Sequence, residues 1–176
     1  MTGRERIQAA LSDEGSSETP AVICYEGIYI RDRWDDLSPF PWWYRHAPDV
    51  ERQILWRREA AKRIGQDWFQ VPSSMPRQDR ESIDVEALPD GVFETDRRTG
   101  ERVLLERPGI GGWSSSGEVQ SVRPSRMAES LDEIDALVPV PTPTDCHDLV
   151  TQGRADLAGA ILGDFGKELY PMSSVP

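Results

Sequence analysis

The sequence predicts an α/β fold in which parallel strands alternate with helices. Two observations predict it. The first is order: segments of helical and strand length follow one another as helix, strand, helix, strand, hairpin excursion, helix and strand, the pattern of a parallel sheet with helical crossovers. The second is how the chain opens and closes. A short capped helix leads into the apolar run Ala21 to Tyr25, and Phe165 to Leu169 leads into a strand over Tyr170 to Val175 that stops at Pro176. Three parallel strands do not close a barrel, and (β/α)8 chains run to roughly 250 residues. The expectation is therefore the N-terminal part of a TIM barrel, one incomplete domain over residues 1–176 with an open sheet edge.

Each element has a local reason. Thr2 and Glu5 have capping-box spacing, and Ile7, Ala10 and Leu11 then share one helical face. Gly15-Ser16-Ser17 ends that helix, and Pro20 introduces Ala21 to Tyr25, an apolar run expected to be a strand covered on both faces. Cys24 within it reads as a small core residue. Residues 26–49, rich in charge and aromatics with Pro39 and Pro41 flanking Phe40, read as a structured loop. A helix is expected from about Pro48 to Ile64. Its stripe is Val50, Ile54, Arg57, Ala61 and Ile64, with the Arg57 stem along the stripe's edge and Gly65 as the stop. Asp67 to Val71 is the next strand.

Val92 to Asp96 and Glu101 to Leu105 flank Arg97-Arg98-Thr99-Gly100, a hairpin within an excursion over residues 90–107. A Gly/Ser loop follows over 108–118. It lacks the Lys-Ser/Thr of a P-loop and the G-x-G-x-x-G spacing, so a nucleotide cradle is rejected. Ser130 and Glu133 form a second capping box ahead of a short helix, whose acidic run Glu129, Asp132, Glu133 and Asp135 reads as a solvated face. Pro139, Pro141 and Pro143 make a stiff connector to a last helix over Asp145 to Asp164.

Composition narrows the function classes. The chain has 31 Asp+Glu against 20 Lys+Arg, a formal net charge of -11, which repels phosphate backbones and anionic membranes. Nucleic acid and membrane partners are not expected. Cys24 and Cys146 are far apart and make no disulfide framework, and no signal-peptide pattern opens the chain, so a reduced, cytoplasmic protein is expected. Six Trp are many for this length. They suit either a large pocket or apolar surface turned toward a further half.

Arg4-Glu5-Arg6-Ile7 and Ala9-Ala10-Leu11, followed by Thr19-Pro20-Ala21-Val22, resemble the start of the uroporphyrinogen decarboxylase superfamily, whose members begin with a helix of the RERxxAAL type. Phe165 to Pro171 resembles a segment leading into a middle strand of the same fold, and Asp67-Trp68 resembles the strand with Asp near its start. The resemblance implies a TIM barrel and one of two activities, porphyrin decarboxylation or methyl transfer among corrinoid proteins, thiols and methylated substrates. The decarboxylases hold substrate carboxylates with an Arg-Gln-Ala-Gly-Arg stretch after the first strand. Here Tyr25-Glu26-Gly27-Ile28-Tyr29 stands in that place, and Ser74 occupies the slot of a functional Asp after the next strand. The resemblance therefore implies the methyltransferase branch, with uroporphyrinogen decarboxylase as the alternative. A non-catalytic barrel fragment that needs a partner, or self-associates through its open edge, is the other class of reading. The methyltransferases commonly carry zinc on His and Cys in the later barrel. Cys146 and His147 are adjacent, a spacing unsuited to one tetrahedral ion, and His46 is isolated, so zinc or a corrinoid is expected only with a remaining half.

Active faces of such barrels lie at the C-terminal ends of strands. Glu26 is the candidate catalytic residue, as general base or cation partner; pairing with Arg31 or Arg33 to order the loop is the competing reading. Tyr25, Tyr29, Trp42 and Trp43 are candidate substrate contacts, since aromatic faces attract methylated cations; packing of the loop over the barrel mouth explains the tryptophans equally well. Ser74, with Ser73 before it, either hydrogen-bonds a ligand or is an ordinary turn residue.

Overall fold

The computed structural model describes residues 1–72, 74–107, 130–137 and 145–173. The capping box at Thr2 forms as its spacing predicts: Thr2 Oγ1 accepts from Glu5 N at 3.2 Å, and Thr2 N donates to Glu5 Oε2 at 2.7 Å. Helix α1 (Gly3–Ala10) follows and lies against the start of the next strand. Gly3 is required there, because a Cβ would meet Asp67 Cα at 2.7 Å. Arg6 closes the contact, with Nε and Nη2 on Asp67 Oδ1 at 3.1 and 2.6 Å.

Ala21 to Tyr25 does not form the expected strand. Residues 21–23 have no regular structure and Cys24 and Tyr25 form a turn, and the segment joins its neighbour through isolated bonds: Ala21 N to Asp67 Oδ2 and Asp67 N to Ala21 O, each 2.8 Å, and Ile23 N to Gln66 Oε1 at 3.2 Å. Side chains satisfy backbone groups that a ladder would otherwise satisfy. Val22, Cys24 and Tyr25 are all exposed, so Cys24 is not a core residue.

Much of residues 26–49 is helical rather than loop, as α2 (Glu26–Asp32), α3 (Trp34–Leu37) and a 3₁₀ turn over Trp42–Arg45, while 38–41 with Pro39 and Pro41, and 46–49, are irregular as expected. The aromatic spacing that resembles a loop is instead the inner side of short helical turns. Ile30, Trp34 and Leu37 pack on Trp56 and Ala60 of α4 (Val50–Ile64), with the Trp34 and Trp56 rings 5.2 Å apart. Asp49 caps α4 through Arg52 N at 2.8 Å, and Gly65 ends it at φ 68°, as expected. Its most buried residues are Gln53, Trp56 and Ala60, one step round from the predicted stripe.

A second cluster lies beyond α4. Phe69 of β1 (Trp68–Gln70) packs with Leu157, Ile161 and Phe165, supported by Val50, Ile54, Val71 and Leu169. The Phe69 and Phe165 rings meet edge-on at 4.7 Å, an arrangement that adds about 0.5–1.5 kcal/mol to the area they bury. The expected long helix over 145–164 is two, α7 (Cys146–Thr151) and α8 (Asp156–Asp164), broken where Gly153 turns left-handed at φ 72°. A side chain at Gly153 would meet Asp156 Oδ2 at 2.7 Å, the carboxylate on which Arg77 and Arg80 converge.

β5 (Tyr170–Met172) pairs parallel with β1, Trp68 opposite Tyr170 and Gln70 opposite Met172. Among the described residues this is a mixed α/β architecture with one parallel pair. Between the two strands the chain makes α5 (Arg77–Ser82) and a separate antiparallel sheet, β2 (Ile83–Leu88), β3 (Gly91–Asp96) and β4 (Arg102–Leu105), in the order β2-β3-β4. The hairpin is where the sequence places it. Strand β2 is an addition, although Ile83 and Val85 alternate with Asp84 and Glu86 at strand period. Helix α6 (Leu131–Leu137) begins at Ser130, whose Oγ accepts from Glu133 N at 3.2 Å. The Gly/Ser loop, the Pro139–Pro143 connector and the last residues of the predicted final strand lie outside the described residues. No helix among the described residues is long and apolar enough to cross a membrane.

Candidate functional site

Glu26 is the first residue of α2, directly after the turn at Cys24 and Tyr25. It enters a cleft of about 410 Å³ at the C-terminal end of β1. Gln70, Val71 and Pro72 form the strand side of this cleft, Ile30 and Trp56 its apolar back, and Arg45 and Arg57 its charged flank. A separate small cavity that shares Glu26, Ile30, Trp56, Arg57 and Gln70 with the cleft is lined on its other side by Phe69, Ile161 and Phe165 of the second hydrophobic cluster.

Burial sets the electrostatics. It pushes the Glu26 carboxyl above the usual carboxylate range, and the Gln70 N–H, the Arg57 charge and the Gln66 amide pull it back only in part. The Gln70 N–H donates to Glu26 Oε2 at 3.4 Å, a long bond. Gln66 Nε2 is buried beside the carboxylate without a formed hydrogen bond. Arg57 is pushed down to about 10 by burial, with Glu26 opposing and Arg45 adding to the fall. Its guanidinium carbon lies 4.3 Å from the Trp56 ring centroid, Nη2 reaches Gln53 Oε1 at 3.4 Å, and Nε is buried with no partner. Arg45 is lowered by burial of its guanidinium and then by the Arg31 charge, although much of the side chain remains open to water. Arg31 itself is paired with Asp32 at 2.7 Å. A carboxylate that protonates more easily than usual therefore faces two guanidinium groups with few partners.

Gln53 holds this flank in place. Its amide nitrogen donates to the carbonyls of Tyr44, Arg45 and Ala47 at 2.9, 3.0 and 2.8 Å, which pins the 3₁₀ turn to α4. Its oxygen accepts from Trp56 Nε1 at 3.2 Å. Apolar spacing gives no signal for Gln53, because the predicted stripe of α4 runs through Val50, Ile54 and Arg57; Arg57 at the edge of that stripe is the signal for a cation close to the core. Arg45 carries no such signal, because only the turn aims it at the cleft.

The other candidate residues lie elsewhere. Tyr25 is 70% exposed and Tyr29 41%, on the outer side of α2. Trp42 packs on the first cluster and meets His46 edge-on at 5.8 Å. The Trp43 ring already holds a cation, the Arg52 guanidinium at 5.3 Å. Ser74 Oγ donates to Arg154 O at 2.9 Å and ties the segment after β1 to the turn before α8. Of the predicted site residues, only Glu26 lines the cleft. It forms no salt bridge with Arg31 or Arg33, which pair with Asp32 and Asp36. Ser73 lies outside the described residues.

Among the described residues no three His, Cys, Asp or Glu side chains converge as metal donors. Both cysteines are exposed, and the residues around Glu26 are amides and guanidinium groups, which do not fit a zinc ion. No protein-family model, curated protein or solved structure matches the chain.

Proposed function

We propose that this chain belongs to a barrel enzyme of the uroporphyrinogen decarboxylase superfamily, on its methyltransferase side, and that a small molecule reacts in the cleft beside Glu26. The observation that carries the reading is the half-buried Glu26 carboxylate at the C-terminal end of a parallel strand, where α/β enzymes place their chemistry. The opening helix with its RERxxAAL-like pattern, docked on that strand through Arg6 and Asp67, supports the family assignment.

In this reading Glu26 is the proton acceptor for an acceptor thiol. The S–H proton passes to the carboxylate as a sulfur–methyl bond forms, and the methyl donor keeps the electron pair of the bond that breaks. The upward displacement of the Glu26 pKa suits this role, because a base works best with a pKa near the working pH. The donor is a methylated small molecule or a corrinoid protein, which would supply the activated methyl group. Porphyrin decarboxylation fits less well, since among the described residues two guanidinium groups face the cleft and the substrate bears many carboxylates.

The test is incubation of the purified chain with methylcobalamin and a small thiol, followed by thioether analysis by mass spectrometry. Thioether formation that falls by about a hundredfold or more in Glu26→Gln is expected. Unchanged turnover in that variant removes Glu26 from the chemistry. Release of CO₂ from uroporphyrinogen assigns the chain to the decarboxylases instead. No turnover with either substrate, together with self-association on a sizing column, assigns it to the non-catalytic class.

A further inference from the structure

The cleft beside Glu26 is charged in a way that proton transfer does not use. Arg45 and Arg57 both line it, and neither makes a salt bridge to a carboxylate among the described residues. Arg57 is the more constrained of the two. Among the described residues its Nε is buried without a partner and its one hydrogen bond is the 3.4 Å contact to Gln53, and its charge cannot be shed at neutral pH. A buried cation left without a counter-charge is costly, and the ordinary remedies are a bound anion or an ion pair. Glu26 shares the cleft and its charge acts on Arg57, but it makes no direct salt bridge with either arginine and can offset at most one of the two charges.

We infer that Arg45 and Arg57 form a clamp for the carboxylate of a small carboxylic acid, which is the molecule that enters the cleft. The charge balance selects this class. Two guanidinium groups and one ionised Glu26 leave one net positive charge, which a carboxylate neutralises, whereas a phosphate dianion overshoots and repels Glu26. The planar fork of a guanidinium matches a carboxylate edge-on. The walls select the rest of the molecule. Ile30, Trp56, Val71 and Pro72 present an apolar surface suited to a short alkyl or aryl body, and a volume of about 410 Å³ holds a small molecule of that kind. Both arginines come from elements tied together by Gln53, so the clamp exists before the ligand arrives.

This inference rests on the reading that the cleft is a small-molecule site, and it names the class of ligand. It is separable from the methyl-transfer chemistry because binding needs no turnover. The experiment is a calorimetric titration of the full chain with benzoate, with benzamide as the uncharged isostere and inorganic phosphate as the dianion. Benzoate is expected to bind, and benzamide and phosphate to bind at least tenfold more weakly. Arg45→Gln, at a side chain open to water, tests the clamp without burying a new group, and Arg57→Lys keeps the charge while removing the fork. Each is expected to weaken benzoate by about tenfold, with Glu26→Gln binding at least as tightly as the unaltered chain.

Equal binding of benzoate and benzamide overturns the clamp, as does benzoate binding unchanged in Arg45→Gln and Arg57→Lys. Tighter phosphate than benzoate overturns the carboxylate assignment. No benzoate binding in a chain that turns over methylcobalamin and thiol refutes the clamp and leaves the methyl-transfer reading standing. Selective benzoate binding with no turnover supports the clamp and refutes the methyl-transfer reading.

Discussion

Replacing Gln53 with methionine tests how the cleft is held, because the two side chains have similar length and only the amide is lost. Gln53 is 7% exposed, and one amide nitrogen serves three carbonyls while its oxygen takes the Trp56 indole N–H. In Gln53→Met the Ala47 carbonyl and the Trp56 N–H are buried without partners, at about 1–3 kcal/mol each. The Tyr44 and Arg45 carbonyls lie nearer the surface and regain water, so they add little. Methionine recovers part of the loss by apolar contact, which leaves a net destabilisation of about 3 kcal/mol. In a chain of this size that corresponds to a fall of roughly 10 °C in Tm. Urea and thermal unfolding followed by far-UV circular dichroism measure it, with the exposed Gln78→Met as control. A Gln53→Met variant within about 0.5 kcal/mol of the unaltered chain, no more than an ordinary surface change, refutes the argument that this amide organises the turn.

Two more outcomes follow from the contact between α1 and β1. Gly3→Ala forces a methyl against the Asp67 backbone at 2.7 Å and is expected to destabilise by about 1–3 kcal/mol, read from the urea midpoint; a neutral result means that α1 can move away at no cost. The Arg6 hydrogen bonds hold the Asp67 carboxyl below the usual range, with the Ala21 N–H assisting. Asp67 therefore stabilises the fold fully above its unfolded pKa of about 3.9, and that contribution is lost as pH falls through the lower folded value. Asp67→Asn is expected to flatten the acid limb of stability between roughly pH 5 and pH 2, where Asp67 titrates in one state or the other. An acid limb as steep as that of the unaltered chain counts against the pair.

Local chemistry was legible where it acts within a few residues. The Thr2 capping box, the Gly65 stop, the hairpin around Arg97 to Gly100 and the long helix α4 depend on nearest neighbours, and all appear as read. The strand expected at Ala21 failed for a tertiary reason. Whether an apolar run becomes a strand depends on a partner edge, and here the Asp67 and Gln66 side chains hold its backbone instead. The break at Gly153 is set by the close approach of Arg77 and Asp156, residues more than seventy positions apart. The burial of α4 shifted by one residue because Gln53 has a polar task on the inner face, which a count of apolar spacing cannot register.

By itself the sequence determined the net negative charge, the hairpin around Arg97 to Gly100, and the local start of α1 and stop of α4. The tertiary structure alone decided what surrounds Glu26. Arg45 reaches the cleft from a 3₁₀ turn and Arg57 from a helix, and their charges meet the carboxylate only once Gln53 has docked one element on the other. Electrostatic neighbourhood is a property of distance in space and of lost water, and neither is written along the chain.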